Sequence, residues 1–139
     1  MIKFMRMQFN ASLDNVTLAR SVTGCFLLDS NLTVAVLNEV KTIVSEAVTN
    51  SIVHGYHIDN ESLVTMELEL EDGILRITIE DNGVGIENVE EARTTLLSTK
   101  LEEERAGLGF TIMEVFSDEM TVNSMLGEGT TVFCVKKIG

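Results

Sequence analysis

A chain of 139 residues, 45% of them apolar, suits one domain with one core and excludes intrinsic disorder. Asp and Glu number 22 against 10 Lys and Arg, so the net charge is −12; this disfavours nucleic acid and anionic membranes, both polyanions, and suits a basic protein partner. No segment is apolar for long enough to span a bilayer, the N-terminus lacks a signal-like apolar run, and Cys25 and Cys134 show no CxxC spacing, so the expectation is a cytoplasmic protein with both cysteines in core positions.

Proline is absent, so breaks are marked by Gly, Asn and Asp. Alternation in "FMRMQFNA" predicts a first strand, Phe4 to Phe9. Ser12 can cap a helix running to about Leu28, with Val16, Ala19, Val22, Cys25 and Phe26 inward. Asn31 and Thr33 can cap a second helix, about Val34 to His54, whose buried stripe is Leu37, Val40, Val44, Ala47, Val48 and Ser51. "LVTMELEL" and "ILRITIE" alternate at period two around Asp72-Gly73, which predicts a hairpin. A long acidic, irregular region, Glu87 to Arg105, precedes a helix of about Leu108 to Phe116. "MTVNS" and "TTVFCVKK" then flank the turn "MLGEG". Strands that arrive mostly as hairpins favour a mixed, mostly antiparallel sheet with helices on one face, a two-layer α/β sandwich of one domain, 1–139.

Four motifs carry chemistry. Glu46, Asn50 and His54 recur four apart along the edge of the second helix's apolar stripe. Such a row fits a polar helix margin. It also fits a site wall, where a carboxylate acts as general base and an amide oxygen ligates Mg²⁺. "EDNGVGI" sets Asp81 at a strand end with Gly83 and Gly85 after it, and glycine lets backbone approach a ligand closely. "RAGLGF", Arg105 to Phe110, is expected to open a helix, where free amides form a candidate phosphate cradle. "GEGTTVF" brings Thr130 beside Asp81 if their strands are neighbours, and by itself reads equally as a plain hairpin. GxxxxGK[ST] and a βαβ GxGxxG are both missing, which disfavours P-loop and Rossmann sites.

In this order and at these intervals the motifs resemble the Bergerat-fold ATPases, and within them the bacterial serine-protein kinases that double as anti-sigma factors. "EVKTIVSEAVTNSIVHGY", "DNGVGI", "EEAR", "STK", "ERAGLGFTIMEVFSDE" and "GEGTTV" carry the resemblance over nearly the whole chain. It implies that Glu46 is the base for a substrate serine and that Asn50 ligates Mg²⁺ on the ATP phosphates. It implies that Asp81 accepts from the adenine amine, supported by Thr130, with Gly83 and Gly85 close to the nucleotide. Residues 87–106 would be the ATP lid, with Gly107, Leu108 and Gly109 at its phosphate end. Lys100 and Arg105 are cations beside that end, and Arg105 is expected to reach the γ-phosphate. Arg20, the basic residue of the first helix, is a candidate partner contact. The implied function is sequestration of a sporulation sigma factor, with serine phosphorylation of an anti-anti-sigma protein by Mg-ATP in a homodimer. A non-catalytic ATP-gated binding module is the alternative. The ATP-binding half of a histidine kinase fits less well, because the histidines, His54 and His57, both lie in or beside the ATP motif.

Overall fold

The computed structural model describes residues 1–86, 89 and 101–139, apart from the side chains of 101–107. Five strands, β1 Lys3–Asn10, β2 Leu63–Glu71, β3 Ile74–Asp81, β4 Glu119–Met125 and β5 Gly129–Lys137, form one sheet. Their order is β1-β2-β3-β5-β4, and every neighbouring pair is antiparallel. Alternate residues face opposite sides of such a sheet. The register aligns Met7 with Met66, Met66 with Ile79, Ile79 with Val132 and Val132 with Val122, so apolar side chains form one band across all five strands. The opposite face carries ion pairs between Arg6 and Glu67 at 3.4 Å and between Arg76 and Glu69 at 3.9 Å.

Three helices cover the apolar band: α1 Asp14–Phe26, α2 Val34–Asn50 and α3 Leu101–Phe116. This is the expected two-layer sandwich. α2 lies between α1 and α3, and Val40, Ile43, Val44, Ala47 and Val48 are fully buried on it. Asp72 (φ 51°) and Gly73 (φ 75°) make the β2–β3 turn, because two positive φ values match the twist of a tight hairpin.

Local details differ from expectation in four places. Leu13, not Ser12, precedes the first turn of α1, and no side chain caps it; Ser12 is held in a tight turn, its N–H on Asn10 O and its carbonyl accepting from Asn15 N–H. α1 buries Ala19, Thr23 and Phe26, which turns Cys25 outward to solvent, whereas Cys134 is buried as expected. Thr33 caps α2, its hydroxyl accepting from Val36 N at 3.2 Å, while Asn31 takes a left-handed conformation that ends the short turn Leu28–Ser30. α3 begins at Leu101, so Arg105 to Phe110 lies inside a helix and does not open one.

Candidate functional site

After Asn50 the chain does not stop as a regular helix. Ser51–Gly55 widens into one π-turn, closed by Tyr56 N–H on Ser51 O at 3.0 Å. Such insertions re-aim side chains at functional positions. Here the turn brings Ser51 and Gly55 against the end of β3. The Ser51 side chain hydrogen bonds the Asp81 carboxylate, and a Cβ on Gly55 would stand 2.9 Å from Asp81 Oδ1. Asp81 is only 3% exposed. It accepts from Gly83 N at 3.0 Å and from the Thr130 backbone. Burial pushes its pKa up, and these hydrogen bonds oppose that shift without cancelling it.

The turn after Asp81 is packed backbone against backbone. A Cβ on Gly83 would fall 2.2 Å from Gly55 O, and one on Gly85 would fall 2.1 Å from Met125 O, so neither position has room for a side chain. Val84 N–H bonds Gly55 O at 3.0 Å, and Gly127 N–H bonds Val84 O at 2.7 Å. Tyr56 ties the start of the turn: its hydroxyl accepts from Asn82 N at 2.6 Å and donates to Leu63 O at 2.8 Å. Across the sheet Asp81 pairs with Thr130, and Thr130 pairs with Ser124, so three polar side chains share one row on the helix-covered face. Ser124 Oγ lies 2.7 Å from Thr130 Oγ1 and accepts from Ile86 N at 2.7 Å.

Glu46 and Asn50, both half-buried, stand one turn apart on α2 beside α3. A Cβ on Gly109 would lie 3.0 Å from Glu46 Oε2 and 3.2 Å from Asn50 Nδ2, so this glycine makes room for both groups. Burial raises the pKa of Glu46. Asn50 Nδ2 is buried with no hydrogen-bond partner. An NH₂ group donates and cannot ligate a cation, but a half-turn of the amide puts Oδ1 in its place, the kind of oxygen that Mg²⁺ takes. Among the described residues no cluster of His, Cys, Asp and Glu could hold a metal by itself.

The remaining expected site residues are less concentrated. Gly107, Leu108 and Gly109 belong to α3, whose internal hydrogen bonding occupies the amides of a helix interior, so the free-amide cradle expected there is not formed. Leu108 is exposed. Lys100, the lid residues 87, 88 and 90–100, and the Arg105 side chain lie outside the described residues. His54 sits half-buried in the π-turn. Arg20 reaches across to α2, donating to Ser45 Oγ at 2.5 Å and to Lys41 O at 3.3 Å.

Sequence reasoning missed Ser51, Tyr56 and Ser124 as parts of the site. Ser51 had a readable signal, since a serine in an otherwise apolar stripe needs a polar partner. Tyr56 and Ser124 had none, because their partners lie 26 and 38 residues away in sequence.

A buried carboxylate at a strand end, a glycine turn stacked on the end of a polar-edged helix, and a hydroxyl row beside them define a nucleotide-binding class of domain. The chain belongs to the histidine kinase-like ATPase domain family, whose model matches residues 9–136. The RsbU and RsbW domains of a Mycobacterium tuberculosis protein share this fold, with TM-score 0.71 and 17% identity over 98% of this chain and 32% of that one. The anti-sigma F factor of Geobacillus thermodenitrificans is 48% identical over 134 residues, 96% of this chain and 92% of that protein. The anti-sigma F factor of Clostridium perfringens is 44% identical, covering 96% of each chain. Within the ATPase class, this chain belongs to the anti-sigma F factor family. Among the described residues no helix is long and apolar enough to cross a membrane.

Proposed function

We propose that this protein sequesters a sporulation sigma factor and uses Mg-ATP to phosphorylate a serine on an anti-anti-sigma protein. The observation that carries the catalytic half is the pair Glu46 and Asn50, a carboxylate and an amide with an unmatched buried end, one turn apart and both against Gly109. Asp81 would accept from the adenine amine, with Thr130 beside it. Asn50 would hold Mg²⁺, which supplies charge neutralisation for the phosphates. Glu46 would take the proton as the serine oxygen bonds to the γ-phosphorus. The bond between that phosphorus and the bridging oxygen then breaks, and ADP leaves with its electron pair. A pure binding module has no use for a partly buried carboxylate at this place.

The lid, with Lys100 and Arg105, would close on the γ-phosphate. For Gly107 to Gly109 to offer amides to a phosphate, the first turns of α3 would have to unwind. Arg20 uses some of its five donors on Lys41 and Ser45 and keeps others for an acidic group of a partner. The resemblance of the sequence also supports a homodimer. The deciding experiment is incubation with γ-labelled ATP and a candidate anti-anti-sigma protein. Label on serine supports the reading. Nucleotide-dependent sigma-factor binding without any label transfer would favour the non-catalytic module.

A further inference from the structure

We propose that Tyr56 is a positioning residue of the nucleotide site: its hydroxyl bridges β2 and β3 where their ladder stops, and so holds the turn after Asp81 in the geometry that receives the base. The proposal rests on the reading of Asp81 as the base-facing group and adds what sets that group in place.

β2 and β3 run paired from Glu71 and Ile74 to Thr65 and Glu80. Continued in the same register, Val64 would oppose Asp81, and Leu63 would oppose Asn82. The two strands part there instead, while each keeps its other neighbour. Val64 and Leu63 stay paired with Phe9 and Asn10 of β1, and Asp81 stays paired with Thr130 of β5. One hydroxyl spans the fork. Tyr56 Oη accepts from Asn82 N at 2.6 Å and donates to Leu63 O at 2.8 Å, the two residues that a continued ladder would set opposite each other. An amide N–H only donates and a carbonyl only accepts, so the phenol proton has one assignment, toward Leu63.

Tyr56 follows directly on the π-turn, which grips the same glycine turn at two further points. The Ser51 side chain bonds Asp81, and Gly55 O accepts from Val84 N at 3.0 Å. The Tyr56 contact lies between these two in sequence and also reaches β2, so it sets how far the end of β3 stands from its neighbour. A tyrosinate has no proton for Leu63 O. Ionisation therefore opens the bridge on the β2 side and should weaken nucleotide binding, and by reciprocity binding should make the hydroxyl harder to ionise. Burial already pushes the Tyr56 pKa up against the opposing bond from Asn82, and the carboxylates that act on it, Asp81 and Glu80 of β3 and Asp59 of the loop before β2, push the same way.

The chain has a single tyrosine and no tryptophan, so tyrosinate absorbance beyond the adenine band reports this hydroxyl alone. The probe is adenosine, which carries the base without the phosphate charges that would themselves oppose ionisation. Alkaline titration of the wild-type protein should show ionisation moved to higher pH by saturating adenosine. Near neutral pH, ATP and adenosine are titrated into the wild-type protein, Tyr56→Phe and Asp81→Asn, with thermal unfolding measured alongside. Tyr56→Phe keeps the ring but leaves Leu63 O and Asn82 N–H without their bridge, so both ligands should bind about tenfold more weakly. If Tyr56→Phe does not fold, the ionisation shift of the wild-type protein decides. An absent shift overturns the proposal. So does wild-type affinity in Tyr56→Phe with only a lower melting temperature, which makes Tyr56 a strut of the fold, provided Asp81→Asn does weaken binding. Wild-type affinity in Asp81→Asn as well would instead overturn the base-facing reading on which the proposal depends.

Discussion

At the scale of single residues, the proposed site uses two carboxylates, Glu46 and Asp81, that burial makes reluctant to ionise. In the proposed reading Asp81 accepts from the adenine amine, and Asp81→Asn presents an NH₂ group where that amine would donate. A buried unmatched pair of this kind costs about 1–3 kcal/mol, so ATP affinity measured by calorimetry should fall roughly tenfold to a hundredfold in a folded variant. Glu46→Gln keeps the shape but cannot take a proton. Serine phosphorylation in single turnover should drop about 10²–10⁴-fold while Mg-ATP binding persists. The direction of the pKa shifts adds a pH dependence. Burial raises both groups, so each is protonated at a higher pH than an exposed carboxylate. A carboxylate takes a proton only when ionised, and it accepts a hydrogen bond more strongly when ionised than when protonated. Phosphorylation and ATP affinity should therefore both decline as pH falls, and the decline should begin above the ordinary carboxylate range. In Glu46→Gln the acid limb of the transfer rate should lose its Glu46 component, while the limb in ATP affinity remains.

At the scale of elements, two strands of the sheet hold two of the helices by their C-terminal ends. Lys3 Nζ on β1 donates to Phe26 O at 2.6 Å, closing α1, and Lys136 Nζ on β5 donates to Phe116 O at 2.6 Å, closing α3. A cation there meets unpaired carbonyls and the negative end of the helix dipole. Lys136 also pairs with Glu39 of α2 at 2.9 Å, and its side chain is only 11% exposed. Lys136→Ala would strand Glu39 and the end of α3, so chemical denaturation should report a loss of about 1.5–3 kcal/mol. The glycine turn is the second such joint. Gly83→Ala drives a methyl to 2.2 Å from Gly55 O, backbone that cannot swing aside. The turn must then separate from the π-turn, and ATP affinity should fall more than thermal stability does.

At the scale of the whole molecule, the net charge of −12 acts on partners before contact. A basic partner should associate faster than neutral diffusion allows, and salt should slow that association with much less effect on dissociation. Stopped-flow mixing with the sigma factor at low and high ionic strength measures it, and a salt-independent association rate would exclude steering. Arg20 is an exception in sign on this acidic surface. Arg20→Glu removes the bonds to Lys41 O and Ser45 Oγ and places a second carboxylate near any acidic partner group. It should weaken binding of the sigma factor or the anti-anti-sigma protein, and wild-type affinity for both would end its assignment as a contact.

What the sequence determined by itself is what depends on local periodicity and local chemistry. Period-two alternation placed the first three strands, the glycine turn "MLGEG" marked the last two, the Asp72-Gly73 turn fixed the first hairpin, and spacing by four put Glu46 and Asn50 on one edge of α2, because each signal lies within a few residues of its cause. Tertiary structure decided the rest. Cys25 faces outward because α1 rotates to bury Thr23, whose hydroxyl bonds its own helix at Ala19 O, so a polar residue took a position that an apolar pattern would not assign to it. The π-turn at Ser51–Gly55 exists where Ser51 and Gly55 meet Asp81 from β3, a contact across thirty residues of chain with no trace in helical spacing. The row Asp81–Thr130–Ser124 follows from strand register, which joins β3, β5 and β4 out of chain order. Residues that make a local element are legible in one dimension. Residues that complete another element's hydrogen bonds become visible only when the sheet has set its register and the helices have packed on it.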